Sequence, residues 1–276
     1  MSSPIVVASV TRCGSTLLQR LLSTHEDLTI WGEHFGLLSH LRAMHDRAAR
    51  SSEQLERGHL QADALVRGPM TLPDDLSPQV NPFGLEQLED EIRSMVLRLF
   101  RRGLSPRSRW GFKEVHYFED DLRFLHHLFP SMRLIVLVRR PETQISSYVR
   151  APWREIPKGS DARQDVVTDL VTTAAHTWTS KYLQLMKVVQ ERASQSLVVR
   201  YEDLVGDQLD FDELFGFCGL DTPDAAALRS VLERRELSSS GTSAWDRSTT
   251  AALEEQISKV TFPEAHPEVL RFFYPS

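Results

Sequence analysis

Residues 4–22 read PIVVASVTRCGSTLLQRLL, an apolar run, a tight polar knot and a helix-like pattern in direct succession. PIVVAS is short, β-branched and bounded by polar turn residues, which predicts a buried strand. From Ser15 the spacing Leu17, Leu18, Leu21, Leu22 marks a helix with one apolar face. Between them, Gly14 permits a tight turn, and the amides that follow form a helix N-terminus, a ready site for an anion. The knot nearly spells the phosphate loop GxxxxGK[ST], but Ser15 stands where that motif has its lysine. The lysine normally grips the β- and γ-phosphates, so a nucleoside triphosphate is poorly served here. A single 5′-phosphate, held by Arg12, the loop amides, Ser15 and Thr16, is served well. An ordinary strand–turn–helix with serine at the cap is the plainer reading of the same residues.

A chain of 276 residues, 41% hydrophobic and 25% charged, can bury a full core and has the composition of a globular protein. The net charge of −6 argues against nucleic acid as a partner. Only two cysteines occur, Cys13 and Cys218, with no cysteine–histidine cluster at metal-ligating spacing. No bound metal and no disulfide are therefore expected, and the pattern suits a reducing, cytoplasmic setting. The apolar run at the start is interrupted too early for a membrane span.

Further along, residues 28–33 predict a second strand, 109–115 a third, 132–138 a fourth and 196–201 a fifth. MRLIVLV (132–138) is apolar on both faces, as a central parallel strand is. Helices are expected at about 35–49, 53–66, 85–102, 119–129, 141–150, 164–193, 209–218, 223–235 and 249–259. The Pro-bearing stretch 68–84 reads as a loop or lid. Strands alternating with helices imply a single α/β domain with a central parallel β-sheet flanked by helices. Ligands of such sheets bind at the carboxyl ends of the strands. Beyond the fourth strand comes VRRPETQISSY, where Arg139 ends the strand, Pro141 opens a helix and Ser147 lies about two turns into it. Arg139 and Ser147 could clamp a second phosphate.

With these residues in hand, the chain resembles the sulfotransferases that use 3′-phosphoadenosine-5′-phosphosulfate (PAPS), especially the bacterial and Golgi-type branches. TRCGSTLLQRLL (11–22), VRRPETQISSY (138–148) and VVRYEDLVGD (198–207) match that family's motifs in order and spacing. The resemblance covers about residues 4–210 and implies a P-loop nucleotide-kinase-like fold over 1–276, with a PAPS-binding core at about 4–30 and 109–210. It assigns Arg12, Cys13, Gly14, Ser15 and Thr16 to the 5′ end of PAPS, and Arg139 and Ser147 to its 3′-phosphate. Tyr201 would support the adenine region. Cys13 departs from the family's small serine. The match also implies that Glu33, in WGE, is the base as in the tyrosylprotein and trehalose branches, and that Lys113 stabilises the departing phosphate of PAP. His116, three residues past Lys113, is the rival base. His126 and His127 read as structural or exposed, and Trp245 as a candidate cover over nucleotide or substrate.

The activity implied is sulfuryl transfer to a hydroxyl or amine. No long basic stripe is evident, which favours a small-molecule acceptor, its pocket built from segments 34–84 and 150–165. A homodimer is compatible with the sequence. A P-loop kinase using ATP and Mg²⁺ and a non-catalytic nucleotide-binding protein remain as alternatives, against which stand the missing lysine and the retained Glu33 and Lys113.

Overall fold

The computed structural model of the chain describes residues 3–68, 80–151, 160–206, 208–239, 247–264 and 266–275. Five strands, β1 (Ile5–Ala8), β2 (Leu28–Trp31), β3 (Arg109–Glu114), β4 (Arg133–Val138) and β5 (Ser196–Arg200), form one sheet in the order β2-β3-β1-β4-β5. Each neighbouring pair runs parallel, with Val7 opposite both Lys113 and Ile135. The central strands are apolar on both faces because both faces are covered: Val6, Val7, Phe112, Leu134 and Val136 are wholly buried.

The helices are α1 (Ser15–Leu22), α2 (Leu37–Ala49), α3 (Ser52–Leu60), α4 (Ala62–Arg67), α5 (Leu85–Phe100), α6 (Glu119–Leu128), α7 (Pro141–Val149) and α8 (Ser160–Glu191), then α9 (Tyr201–Val205), α10 (Phe211–Cys218), α11 (Ala225–Ser239), α12 (Arg247–Lys259) and α13 (His266–Phe273). Four helices, α2 to α5, are inserted between β2 and β3. The single helix expected over 53–66 is two, parted at Gln61, with the weak helix former Gly58 in the last turn before the break. Two helices were not anticipated: α9, too short for a periodic pattern, and α13, whose aromatic residues Phe272 and Phe273 pack against the core. The helix start expected at 209 falls at Phe211 because Asp210 caps it, accepting the Glu213 amide at 2.9 Å.

From β1 the chain winds outward to β2, returns to β3, and then crosses to β4 on the other side of β1. The strand order therefore reverses between β1 and β4, and the crevice at their carboxyl ends is where this architecture places its ligands. No helix among the described residues is long and apolar enough to cross a membrane. Most of the expected lid at 68–84, the loop just after 151 and Trp245 lie outside the described residues.

Candidate active site

The β1–α1 loop is built to leave amides exposed to a ligand. Gly14 sits at φ 91°, and Arg12, a non-glycine residue, at φ 71°, so the loop turns twice through the left-handed region. No side chain caps α1; the Leu17 and Leu18 amides donate to the Gly14 carbonyl at 2.9 and 3.2 Å, and the amides of Ser15 and Thr16 lie ahead of them at the helix start. The loop's carbonyls are drawn the other way. Thr11 accepts from Gln144 Nε2 at 2.7 Å, and Arg12 accepts from Arg139 Nη1 at 3.2 Å. Gly14 is also required by space, because a Cβ there would collide with the ring of Tyr201.

That ring carries Arg139 on its face, with the guanidinium carbon 4.3 Å from the centroid. Arg139 also donates to Thr143 Oγ1 at 3.2 Å, while its carbonyl accepts the Trp178 indole N–H at 2.9 Å. Arg12 Nε donates to Ser147 Oγ at 3.3 Å. Burial, and then the positive charge of Arg139, lower the pKa of Arg12. Two guanidinium groups held this close repel, and an anion between them removes that cost. Arg12, Arg139, Ser147 and Tyr201 thus lie together. A cavity of about 790 Å³ opens beside them, lined by Arg139, Ser146, Ser147, Arg150, Ile257 and Phe262. Arg150 and Phe262 carried no motif.

Cys13 is placed differently from its neighbours. Its thiol is wholly buried, contacts Tyr182 Oη at 3.1 Å, and burial pushes its pKa up to about 12. Tyr182 in turn donates to the Leu137 carbonyl at 2.7 Å. The side chain therefore ties the loop to α8 and β4, and only the backbone of Cys13 can serve an anion.

Across β1, a second cluster forms at the ends of β2 and β3. Lys113, within β3 and nearly buried, is ion-paired with Glu33, whose side chain is 29% exposed. The residue between Lys113 and His116 that organises the cluster is Glu114, which is fully buried. Its Oε2 accepts the amides of His34 (3.2 Å) and Gly36 (3.1 Å), and its Oε1 those of Val115 (2.9 Å) and His116 (3.1 Å). Burial pushes this carboxyl up, but the Gly36 amide and the contacts from His116 outweigh it and hold the pKa below its ordinary value. Glu114 Oε1 also meets His116 Nδ1 at 2.7 Å. Glu33, Glu114 and His116 bring ligand-type atoms within 4.8 Å of one another, but the oxygens of Glu114 are already engaged by amides. Next to them Phe35 is 82% exposed at φ 55°, its ring 6.5 Å from that of His116.

The paired histidines on α6 part company. His126 is buried with no hydrogen-bond partner on either ring nitrogen among the described residues, and burial lowers its pKa to about 4. His127 is half exposed and contacts Glu89.

Known proteins share the fold that carries these two clusters. The sulfotransferase domain of the Synechococcus PCC 7002 olefin synthase superposes with a TM-score of 0.54 at 19% identity, covering 100% of this chain and 97% of its own. The sulfotransferase domain from the curacin biosynthetic pathway gives 0.50 at 19% identity, covering 95% and 99%. A mouse sulfotransferase, SULT7A1, solved with PAP, gives 0.46 at 12% identity, covering 99% and 84%. No curated protein matches the chain. The model of the sulfotransferase family matches residues 4–224, a span holding all five strands and every residue of both clusters, and the chain belongs to that family.

Proposed function

We propose that the protein transfers a sulfuryl group from PAPS to a hydroxyl or amine of a small acceptor and releases PAP, acting as one domain over its whole length in the cytoplasm. The observation that carries this reading is the pair Arg12 and Arg139 at the β1–β4 switch point, beside the uncapped N-terminus of α1. One phosphate-sized anion suits the α1 amides with Ser15 and Thr16, and a second suits Arg139 and Ser147. The adjoining cavity is of a size that takes a nucleoside. PAPS supplies the sulfuryl group on an already activated phosphosulfate, so the loop has no need of a kinase lysine.

Lys113 stands on the strand next to β1, where its ammonium can offset charge growing on the leaving phosphate. Glu33, held against Lys113 and still partly open to solvent, takes the proton of the acceptor. A second reading of the base is favoured by one contact: His116 Nδ1 rests on the buried Glu114, an arrangement that sets the tautomer and leaves Nε2 for a proton. The acceptor is taken on this side, where the ring of Phe35 is exposed.

The test is thermal stabilisation by nucleotides. PAP at 100-fold its dissociation constant adds about 2.7 kcal/mol. AMP, which lacks the 3′-phosphate, is expected to do much less, and ATP with Mg²⁺ less than PAP. Equal stabilisation by AMP removes the role given to Arg139 and Ser147, and a preference for ATP·Mg²⁺ restores the kinase reading.

A further inference from the structure

Away from the cradle, three helices bring two histidines and a glutamate to one point. His45 of α2 and His127 of α6 both turn Nε2 toward the same oxygen of Glu89 on α5, at 2.8 and 2.9 Å. The three atoms lie within 4.8 Å of one another. The side chains of His45 and Glu89 are 12% and 17% exposed, and His127 sits at the rim at 54%. The His45 ring is wedged between Phe124 and His127, with centroids 5.1 and 5.7 Å away.

Two further features distinguish this trio from an ordinary surface ion pair. The other ring nitrogen of His45, Nδ1, lies 3.4 Å from Asp46 Oδ1, and Asp46 Oδ2 accepts from Arg42 at 2.9 Å. A carboxylate behind a histidine fixes its tautomer and turns the Nε2 lone pair outward, the usual support of a metal-bound imidazole. In addition, a cavity of about 380 Å³ borders His45 and His127, with Asp46 and Asp120 on its wall, and leaves room for water as a further ligand. The nearby cations are already neutralised: Arg42 pairs with Asp46 and Asp121, and Arg123 with Glu119 and Glu191.

We propose that His45, Glu89 and His127 bind a divalent transition-metal ion, zinc above others, which clips α2, α5 and α6 together. Two imidazoles and one carboxylate form a known zinc donor set that leaves a position open for water. Neighbouring ligand atoms around a tetrahedral zinc are about 3.3 Å apart, so the observed trio needs to open by roughly half an ångström. Nitrogen-rich sites of this type prefer zinc, cobalt or nickel to magnesium or calcium. His45 lies eight residues, or roughly 12 Å, beyond the start of α2, and α2 follows directly on Glu33–Gly36. The ion therefore anchors the helix that walls the acceptor side without touching the reacting groups.

The test uses tag-free, chelator-treated full-length protein and Co²⁺ as a spectroscopic probe. One equivalent of Co²⁺ is expected to give the intense visible absorption of a low-coordinate site, and Zn²⁺ to abolish it by competition. Zn²⁺ at about 100-fold its dissociation constant is expected to raise Tm by about 5 °C. His127→Ala, at a half-exposed position, is expected to leave the metal-free Tm nearly unchanged and to lose both the Co²⁺ spectrum and the zinc shift. Glu89→Gln is expected to weaken Co²⁺ binding at least tenfold. No saturable Co²⁺ absorption, an unchanged response in His127→Ala, or an equal Tm shift with Mg²⁺ would each overturn the proposal.

Discussion

The two halves of the ligand crevice are held in different ways. On the β1–β4 side, a loop of a few residues joins the wholly buried β1 to α1, and its shape is set by backbone: two left-handed residues, carbonyls drawn toward α7 and Arg139, and Tyr201 packed where a Cβ would stand. On the β2–β3 side, the chain after β2 and the His116 ring are held by one buried carboxylate, Glu114, while Glu33 is held by Lys113. The first arrangement follows from the strand–loop–helix turn at the switch point. The segment between β2 and β3 leaves Leu60, Val66 and Phe35 more than four-fifths exposed, whereas β3 beneath is buried from Trp110 to Glu114. On the proposed reading, the donor would thus be held by backbone geometry and the acceptor by side chains set on the inserted helices.

That division predicts that changes on one side alter rate and changes on the other alter affinity. The largest effect is expected on the β2–β3 side. General-base catalysis contributes about 10²–10⁴-fold, so Glu33→Gln should lose that much in single-turnover transfer from bound PAPS while PAP affinity stays near its original value. His116→Asn should lose less and mainly raise the KM for the acceptor. A full-rate Glu33→Gln enzyme beside an inactive His116→Asn enzyme reverses the two roles. Loss of PAP binding in Glu33→Gln breaks the division itself.

The converse experiment is Arg139→Ala. Removing a charge-assisted contact costs about 1.5–3 kcal/mol, or roughly 10- to 150-fold in PAP affinity by equilibrium titration. Single-turnover rate at saturating PAPS should change far less. Because Arg139 also covers Tyr201 and holds the Arg12 carbonyl, Arg139→Lys, which keeps the charge but not the planar fork, should recover only part of the affinity. Full recovery by lysine would reduce the site to simple charge attraction.

How much of this was legible beforehand follows the same division. The strands could be read because parallel strands buried on both faces are unbroken apolar runs, as in RLIVLV, and the loop after β1 could be read because its glycine and arginine have few other uses together. The side-chain partners could not. Glu114 lies between Lys113 and His116, but its role depends on amides of residues 34 and 36, far away in the chain. Cys13 falls inside a binding motif, and only the arrival of Tyr182 from α8 shows that its thiol belongs to the core. The trio His45, Glu89 and His127 has no local spacing at all, since each residue comes from a different helix. Burial pattern is written locally, whereas long-range partnership is not.

The smallest effect expected concerns Lys181 on α8, a buried amine below the end of β3. It is 2% exposed, its Nζ has no hydrogen-bond partner among the described residues, and it lies 4.2 Å from the centroid of the Phe118 ring. Burial lowers its pKa to about 7, against the opposing pull of Asp121 and Glu114. In the unfolded chain a lysine titrates near 10.4. Between these two values the unfolded state holds a proton that the folded state has released, so stability should rise as pH rises from about 7 to about 10. Below pH 7 both states are protonated and the folded protein carries the full cost of the buried charge. Lys181→Met keeps the length of the side chain and removes that charge, so it should stabilise the protein at pH 7 by at least about 1.4 kcal/mol, the worth of one pKa unit. It should also flatten the slope of stability between pH 7 and 10 in denaturant titrations. If Lys181→Met instead destabilises the protein at pH 7, the ammonium is held by its cation–π contact and the fields of Glu114 and Asp121. The β2–β3 side would then hold the Lys181 ammonium as a further compensated charge beside Glu114.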